Sequence, residues 1–372
     1  MIIGIDIRPY LKDPSGMGQY AYQLTKHILE NDSTNRYILL SDRPVPKTFP
    51  ETYTVRIFHI SGLPGSINTL YFHLCSLFFA KFLCDRYITT SALYVPALIP
   101  GKAFVVIHDL VTFKYPSLHT FKTKFLIRLV IRPALKHAKT IITVSDNTRK
   151  DLLQLFPYIP GDKVATIHLG LNTALVEELD PYSEKIWEET ESKFRITAPY
   201  ILFVGTTEPR KNLLLLIDAF SEFYPNKQDI QLVIAGKQGW GIEKLQEKLK
   251  TLSSSTQHNI IITGYITDTE KAYLYRNALI FVYPSLYEGF GMPLLEAMSI
   301  GTAVITGNTS SLPEVAGDAA ILIDPYDSHA LSKNMLQLMQ DAEERKRLIA
   351  KGYRQIEKFD WNKAAKTFIS LY

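Results

Sequence analysis

Short apolar runs that do not alternate with polar residues punctuate this sequence from end to end. They fall at residues 2–7, 37–40, 55–60, 92–97, 104–107, 140–144 and 164–169, and again at 200–204, 230–235, 260–263, 279–283, 303–306 and 320–323. A strand with one wet face alternates apolar and polar residues. A continuous run rich in valine and isoleucine suits a strand buried on both faces, as in a parallel sheet covered by helices. Stretches of helical periodicity, for example 212–223 and 268–278, separate many of the runs. Strand and helix in alternation predict βαβ units and the α/β class. With 372 residues, 46% of them apolar, there is material for two domains that each bury a core without covalent staples.

The two cysteines, Cys75 and Cys84, form neither a disulfide framework nor a Cys-x-x-Cys pair, which fits a reducing compartment. The opening Met1-Ile-Ile-Gly-Ile-Asp6 enters a strand-like run without a basic leader, so a cytoplasmic protein is expected. The most apolar stretch, 70–84, is interrupted by His73 and Lys81 and is short for a bilayer span. Charge is uneven. Residues 1–150 hold 19 basic against 9 acidic side chains, whereas 151–372 hold 22 against 28. A basic front suits an anionic partner, phosphate or lipid headgroup, although a merely solvated basic face fits equally well. Between the halves, 177–195 carries seven acidic residues and Pro181, which places an interdomain connection at about 176–197. The predicted domains are 1–176 with the returning segment 360–372, and 196–359. Ligands of open α/β sheets gather at the carboxyl ends of strands, so the cleft between two such domains is the expected active site.

The densest chemistry lies in the segment from Pro284 to Glu296. After a strand ending at Tyr283, the loop carries Glu288, Gly289, Phe290 and Gly291, and a helix starts near Pro293, a residue suited to the first helical turn. Glycines permit close backbone approach. N–H groups from Gly291 through Met292 to Leu295 form an anion site backed by the helix dipole. Glu288 before the helix and Glu296 one turn inside it have separate reach, one for a sugar and one for a ribose. A second strand exit, Gly205-Thr206, leads through Pro209 to the adjacent cations Arg210 and Lys211, which can balance a diphosphate. Gly236 and Gly264-Tyr265 end two further strands and either contact a ligand or turn the chain. His108 with Asp109 leaves another strand at its carboxyl edge, a place for substrate contact as well as for a satisfied core histidine. Gly16-Met-Gly18 after the first strand lacks the full dinucleotide fingerprint, and offers instead a flexible lip.

Several chemistries are disfavoured. There is no Asp-x-Asp pair or His/Cys cluster at metal-ligand spacing, no P-loop and no Gly-x-Ser-x-Gly elbow, so metal, P-loop ATPase and serine hydrolase readings are set aside. Nothing points to nucleic acid.

These segments resemble the retaining family-4 glycosyltransferases of GT-B architecture. The resemblance runs over essentially the whole chain, through Gly16-Met-Gly18, His108-Asp109, Val144-Ser145-Asp-Asn-Thr148, Gly205 to Asn212, Gly264-Tyr265, Glu288 to Glu296 and the closing Phe359-Asp-Trp361. It implies two Rossmann-like domains with parallel sheets facing across a cleft. It also implies a nucleotide-diphosphate sugar as donor, without a cofactor or metal. Arg210 and Lys211 would hold the diphosphate and Glu296 the ribose. Glu288 and the amides of Gly289, Phe290, Gly291 and Met292 would meet the donor sugar, His108 would contact that sugar, and Tyr265-Ile266 would lie beside the base. Many members carry an arginine where this chain has Thr206, and Pro-Asn-Gly where it has His168-Leu169-Gly170. The Pro-Arg-Lys-Asn form points first to mannose from a GDP-sugar, then to rhamnose or glucose, with UDP- or dTDP-sugars as the other donors, in bacterial surface-polysaccharide assembly. A sugar-nucleotide epimerase of similar fold and a non-catalytic nucleotide-sugar binding module are the alternatives.

The acceptor side rests on 121–139, with cations at 124, 128, 132 and 136 on one helical stripe, apolar residues between them and a kink expected at Pro133. A basic amphipathic helix suits an anionic membrane surface, and a helix packed on the sheet with snorkelling cations is the plainer reading. With 70–84 nearby, peripheral membrane contact at the inner face and an oligosaccharide or lipid-linked saccharide acceptor are expected.

Overall fold

The computed structural model describes the chain except for residues 13–15, 46–48, 50–52, 61–63, 91–93, 117–120, 172, 180–183 and 225–229, and except for the side chains of 12, 94, 121–126 and 174. The described residues form two compact units, Met1–Gly170 with Phe359–Tyr372, and Leu171–Lys358.

In the first unit, β1 (Ile2–Asp6), β2 (Arg36–Ser41), β3 (Tyr53–Ile57), β4 (Arg86–Thr89), β5 (Ala103–Ile107), β6 (Thr140–Thr143) and β7 (Val164–Thr166) build a parallel sheet in the order β3-β2-β1-β4-β5-β6-β7. In the second, β8 (Tyr200–Val204), β9 (Gln231–Ala235), β10 (Ile260–Gly264), β11 (Ile280–Tyr283), β12 (Ala303–Gly307) and β13 (Ala320–Ile323) follow the order β10-β9-β8-β11-β12-β13. Every residue of β5, β8, β9, β11 and β12 is buried, which is why their runs lack alternation. Each sheet is wound outward in both directions from its middle. The order reverses between β1 and β4 in one sheet and between β8 and β11 in the other. At such a switch point neighbouring strands send their following loops to opposite sides, leaving a crevice at the carboxyl ends.

Two expectations need correction. The run at 92–97 is not a strand: where described, it forms the short helix Tyr94–Leu98. The strand is β4, which pairs with β1 and β5 and contributes only Tyr87 and Ile88 as large apolar residues. A short central strand flanked by Asp85 and two threonines is too brief to register as an apolar run. The acidic stretch is also not a linker. Its Glu184–Phe194 helix belongs to the second unit and packs on the helix Asp268–Asn277, burying Thr190 and Phe194. Lys193 Nζ donates to Glu270 at 2.5 Å. Glu184, Glu188 and Glu189 are the wet face of this packed helix, and the change of unit falls at Gly170.

The closing helix Trp361–Ile369 lies on the helix Met17–Asn31 of the first unit, with Phe368 fully buried 5.5 Å from the Phe104 ring. The terminal Tyr372 accepts a hydrogen bond from the Tyr37 hydroxyl.

Candidate active site

The second unit's switch point brings together segments that are distant in sequence. After β8, a single turn of tight helix, Pro209–Lys211, ends at Asn212, whose left-handed backbone (φ 62°) starts the helix Leu213–Phe223. The Asn212 side-chain amide donates to the carbonyls of Pro284 (3.2 Å) and Pro325 (2.6 Å). Leu286 N–H donates to Arg210 O at 2.8 Å. The exits of β8 and β11 are thereby bolted to one another.

Glu288 is buried at the centre. Its Oε1 accepts from Lys211 Nζ at 2.7 Å, Ser285 Oγ at 2.6 Å and the Tyr283 hydroxyl at 3.1 Å. Its Oε2 lies 2.7 Å from Arg210 Nη1. Arg210 Nε donates to Glu208 at 2.8 Å and Nη1 to Tyr287 O at 3.2 Å. Lys211, also buried, donates to the Tyr283 hydroxyl. Burial by itself would push the Glu288 carboxyl up, but Lys211 and Arg210 outweigh it and hold the group down at about 2. Burial lowers Lys211 against the pull of Glu288, while Glu288 and neighbouring groups raise Arg210 in spite of its burial. The two cations are therefore not waiting unpaired, as their sequence suggests: Glu288 and Glu208 already offset them. Spare donors remain on Arg210 Nη2, which makes no hydrogen bond among the described residues.

The loop is propped from behind. Glu288 N–H donates to Ser310 Oγ at 2.9 Å, and Ser311 Oγ donates to Phe290 O at 2.6 Å. Gly291 caps the helix Met292–Ile300 at φ 120°, and a Cβ there would lie 3.1 Å from Leu312. The row of open amides is shorter than the expected Gly291-to-Leu295 row. Pro293 has no N–H and Leu294 N–H is spent on Gly291 O at 3.0 Å, leaving Gly291 and Met292 without partners among the described residues. The Phe290 and Leu295 side chains are buried in the core. Glu296 accepts from Lys271 Nζ at 3.3 Å and the Tyr275 hydroxyl at 3.2 Å.

On the other flank, Gly205 N–H donates to Ala235 O, and Thr206 follows it half-buried. A Cβ on Gly236 would lie 2.2 Å from Gly205 O, so this glycine is required by the crowding of the β8 and β9 exits, with no ligand needed to explain it. Tyr265 is exposed with Lys237 Nζ 5.4 Å from its ring centre, whereas Ile266 points into the protein.

In the first unit, His108 stands just beyond β5. Its Nε2 donates to Thr90 O at 3.0 Å, and its ring meets Tyr20 edge-on at 4.7 Å. Burial pulls its pKa down to about 4, against the raising effect of the Thr90 contact, so the ring is neutral at pH 7 with Nδ1 left as an acceptor. Gly16 caps the helix Met17–Asn31 and Gly18 is buried within it, while the preceding Asp13-Pro-Ser lies outside the described residues, as do the side chains of the first cations in the basic stripe.

Tyr283, Ser285, Glu208, Asn212, Ser310 and Ser311 were not singled out from the sequence. Ser310 and Ser311 follow Thr309 at the carboxyl end of β12, and the strand-exit rule applied to that run would have found them.

Two doubly wound parallel sheets, the second bearing a carboxylate, cations and open helix-start amides at its switch point, define the GT-B class of glycosyltransferase. Residues 186–355 match the family described as glycosyl transferases group 1. O-antigen chain mannosyltransferase B of Escherichia coli is 34% identical over 274 residues, covering 73% of this chain and 70% of that protein. The serotype-specific mannosyltransferase WbdA of Escherichia coli is 30% identical over 275 residues, 72% of this chain but 33% of WbdA. Among solved structures, Anabaena HepE in complex with UDP and glucose superposes with a TM-score of 0.76 at 18% identity over 99% of this chain and 98% of that one. WaaG, a glycosyltransferase involved in lipopolysaccharide biosynthesis, gives 0.72 at 14% identity over 99% and 98%. The chain belongs to the group 1 glycosyl transferases and has the GT-B fold.

Proposed function

We propose that this glycosyltransferase moves mannose, with retention of configuration, from a nucleotide-diphosphate sugar, GDP-mannose first, to a saccharide or lipid-linked saccharide in surface-polysaccharide assembly. The mannose assignment is supported by the 34% identity to an O-antigen mannosyltransferase. The catalytic assignment is carried by one observation, the buried Glu288 clamped between Arg210 and Lys211 beside the open N–H groups of Gly291 and Met292.

In this reading Arg210 Nη2 and the two amides take the diphosphate oxygens, and Lys211 acts on charge through Glu288. As the bond from the anomeric carbon to the phosphate oxygen breaks, negative charge gathers on the leaving group. Donors already in place stabilise it, each worth a few kcal/mol of barrier. The acceptor hydroxyl attacks the same face, forms the new bond to that carbon and passes its proton to the departing phosphate. Glu288, held ionised and immobile, orients the cations and the donor sugar and is not a covalent nucleophile. His108, a neutral acceptor at Nδ1, serves a sugar hydroxyl, Glu296 the ribose, and Tyr265 the base. The protein works from the cytoplasm, peripherally on the membrane's inner face.

The test is release of GDP from GDP-mannose with and without a manno-oligosaccharide, in the presence of EDTA, with the product's anomeric configuration read by NMR. Release that depends on acceptor, survives EDTA and yields the α-linked product is expected. Donor epimerised without acceptor, or loss of activity with EDTA, overturns the reading.

A further inference from the structure

The helix Gly65–Phe82 in the first unit buries one face, Asn68, Phe72, Ser76, Phe79 and Ala80, as any helix on a sheet does. Its opposite face is just as apolar. Ile67, Leu70, Leu74, Phe78 and Phe82 recur every three or four residues and are between 47% and 63% exposed. They make a ridge about 23 Å long, ending in the Phe78 and Phe82 rings 5.0 Å apart. Among the described residues no helix is long and apolar enough to cross a membrane. A soluble surface helix carries its charges on this side, and a continuous exposed apolar strip of this kind marks an interaction site.

The surroundings decide the partner. This helix packs on Tyr94–Leu98, which packs on the helix Phe121–His137. None of the three contains an acidic residue. Leu98 and Leu129 extend the exposed apolar surface, and Lys81, Arg128, Arg132 and Lys136 are exposed around it. A second copy of the chain docking here by two-fold symmetry would bring these cations against themselves. An anionic phospholipid surface neutralises them and accepts the ridge at its acyl boundary.

We propose that the Gly65–Phe82 ridge is a membrane-docking edge, with Ile67, Leu70, Leu74, Phe78 and Phe82 inserted into the headgroup–acyl boundary of an anionic bilayer and the cations of the neighbouring helix against its phosphates. The inference deepens the reading of a lipid-linked acceptor, since it locates the surface that holds the enzyme where such an acceptor resides. The basic stripe, which the sequence sets beside the apolar stretch 70–84, is then the electrostatic partner of an apolar ridge on another helix.

The test is flotation of the full chain with phosphatidylcholine vesicles with or without phosphatidylglycerol. Binding to the anionic vesicles is expected. Leu74→Ser with Phe78→Ser, both exposed and so neutral to folding, is expected to weaken it at least about tenfold. Arg128→Gln with Arg132→Gln is expected to weaken it and flatten its dependence on salt. Transfer to a soluble manno-oligosaccharide is expected to be unchanged in the serine variant. Failure of the native chain to bind anionic vesicles, or equal binding by the serine variant, overturns the proposal. So does a dimer in sedimentation velocity that the serine substitutions dissociate. Vesicle binding that persists in a chain with no transferase activity upholds the docking edge and removes only the catalytic reading.

Discussion

His108 beyond β5, half-buried, and Glu288 beyond β11, buried, are both titratable groups at the carboxyl ends of parallel strands, and they end in opposite states. Burial acts against charge in each. Among the described residues His108 meets a backbone carbonyl and an aromatic ring and no opposite charge, so desolvation wins and the imidazole is neutral, its pKa down at about 4. Glu288 faces two cations and two hydroxyls, so its pKa falls to about 2 and the carboxylate stays charged. The state of a buried group is set less by depth than by what shares the depth with it. A neutral acceptor suits a sugar hydroxyl, and an ion cluster suits a charged leaving group.

The hardest blow to this contrast is Lys211→Met. It strands a buried carboxylate, so the second unit should lose about 3–5 kcal/mol in urea unfolding. Transfer should fall by roughly two orders of magnitude or more. A variant that keeps both stability and turnover shows that Lys211 does not hold Glu288.

The acid side sharpens the comparison. The folded His108 pKa of about 4 lies below the ordinary 6.5, so between these values the unfolded chain binds the extra proton and stability falls as pH drops through the window. The loss is at most about 3 kcal/mol, and thermal melts of His108→Gln should lack it. For Glu288 the window lies lower. Its stabilisation is complete above 4.5 and is lost as pH falls towards 2. If the stability lead of the native chain over His108→Gln instead grows on acidification, the ring is charged in the native state and the contrast fails.

The smallest effect belongs to Glu296→Gln. Its contacts with Lys271 and Tyr275 are long and partly wet, so stability should change by less than about 1 kcal/mol. The KM for donor should rise several-fold with kcat nearly intact, as measured by initial rates. A fall in kcat with unchanged KM removes Glu296 from the ribose.

Residues whose chemistry is carried by type and strand-end position, Glu288, Arg210, Lys211, Glu296 and His108, could be picked out along the chain. Their mutual arrangement could not. Glu288 and Lys211 are 77 positions apart and meet because β8 and β11 are neighbours. The same blindness affected side-chain direction: Ile266, Phe290 and Leu295 stand in the right segments but face the core. It also affected Gly236, whose lack of a side chain answers to the Gly205 carbonyl. The acidic helix Glu184–Phe194 looked like a linker because composition records its wet face and cannot say whether the other face is packed.

By itself the sequence determined the doubly buried parallel strands, the alternation with helices and the strand exits that hold charge, because burial on two faces and turn chemistry are written in adjacent residues. Only the tertiary structure decided which exits meet, that two cations are already offset by carboxylates, and that one helix carries apolar residues on both its faces. Those are properties of neighbours in space, and Coulomb forces, steric exclusion and access to water depend on distances that chain order does not record.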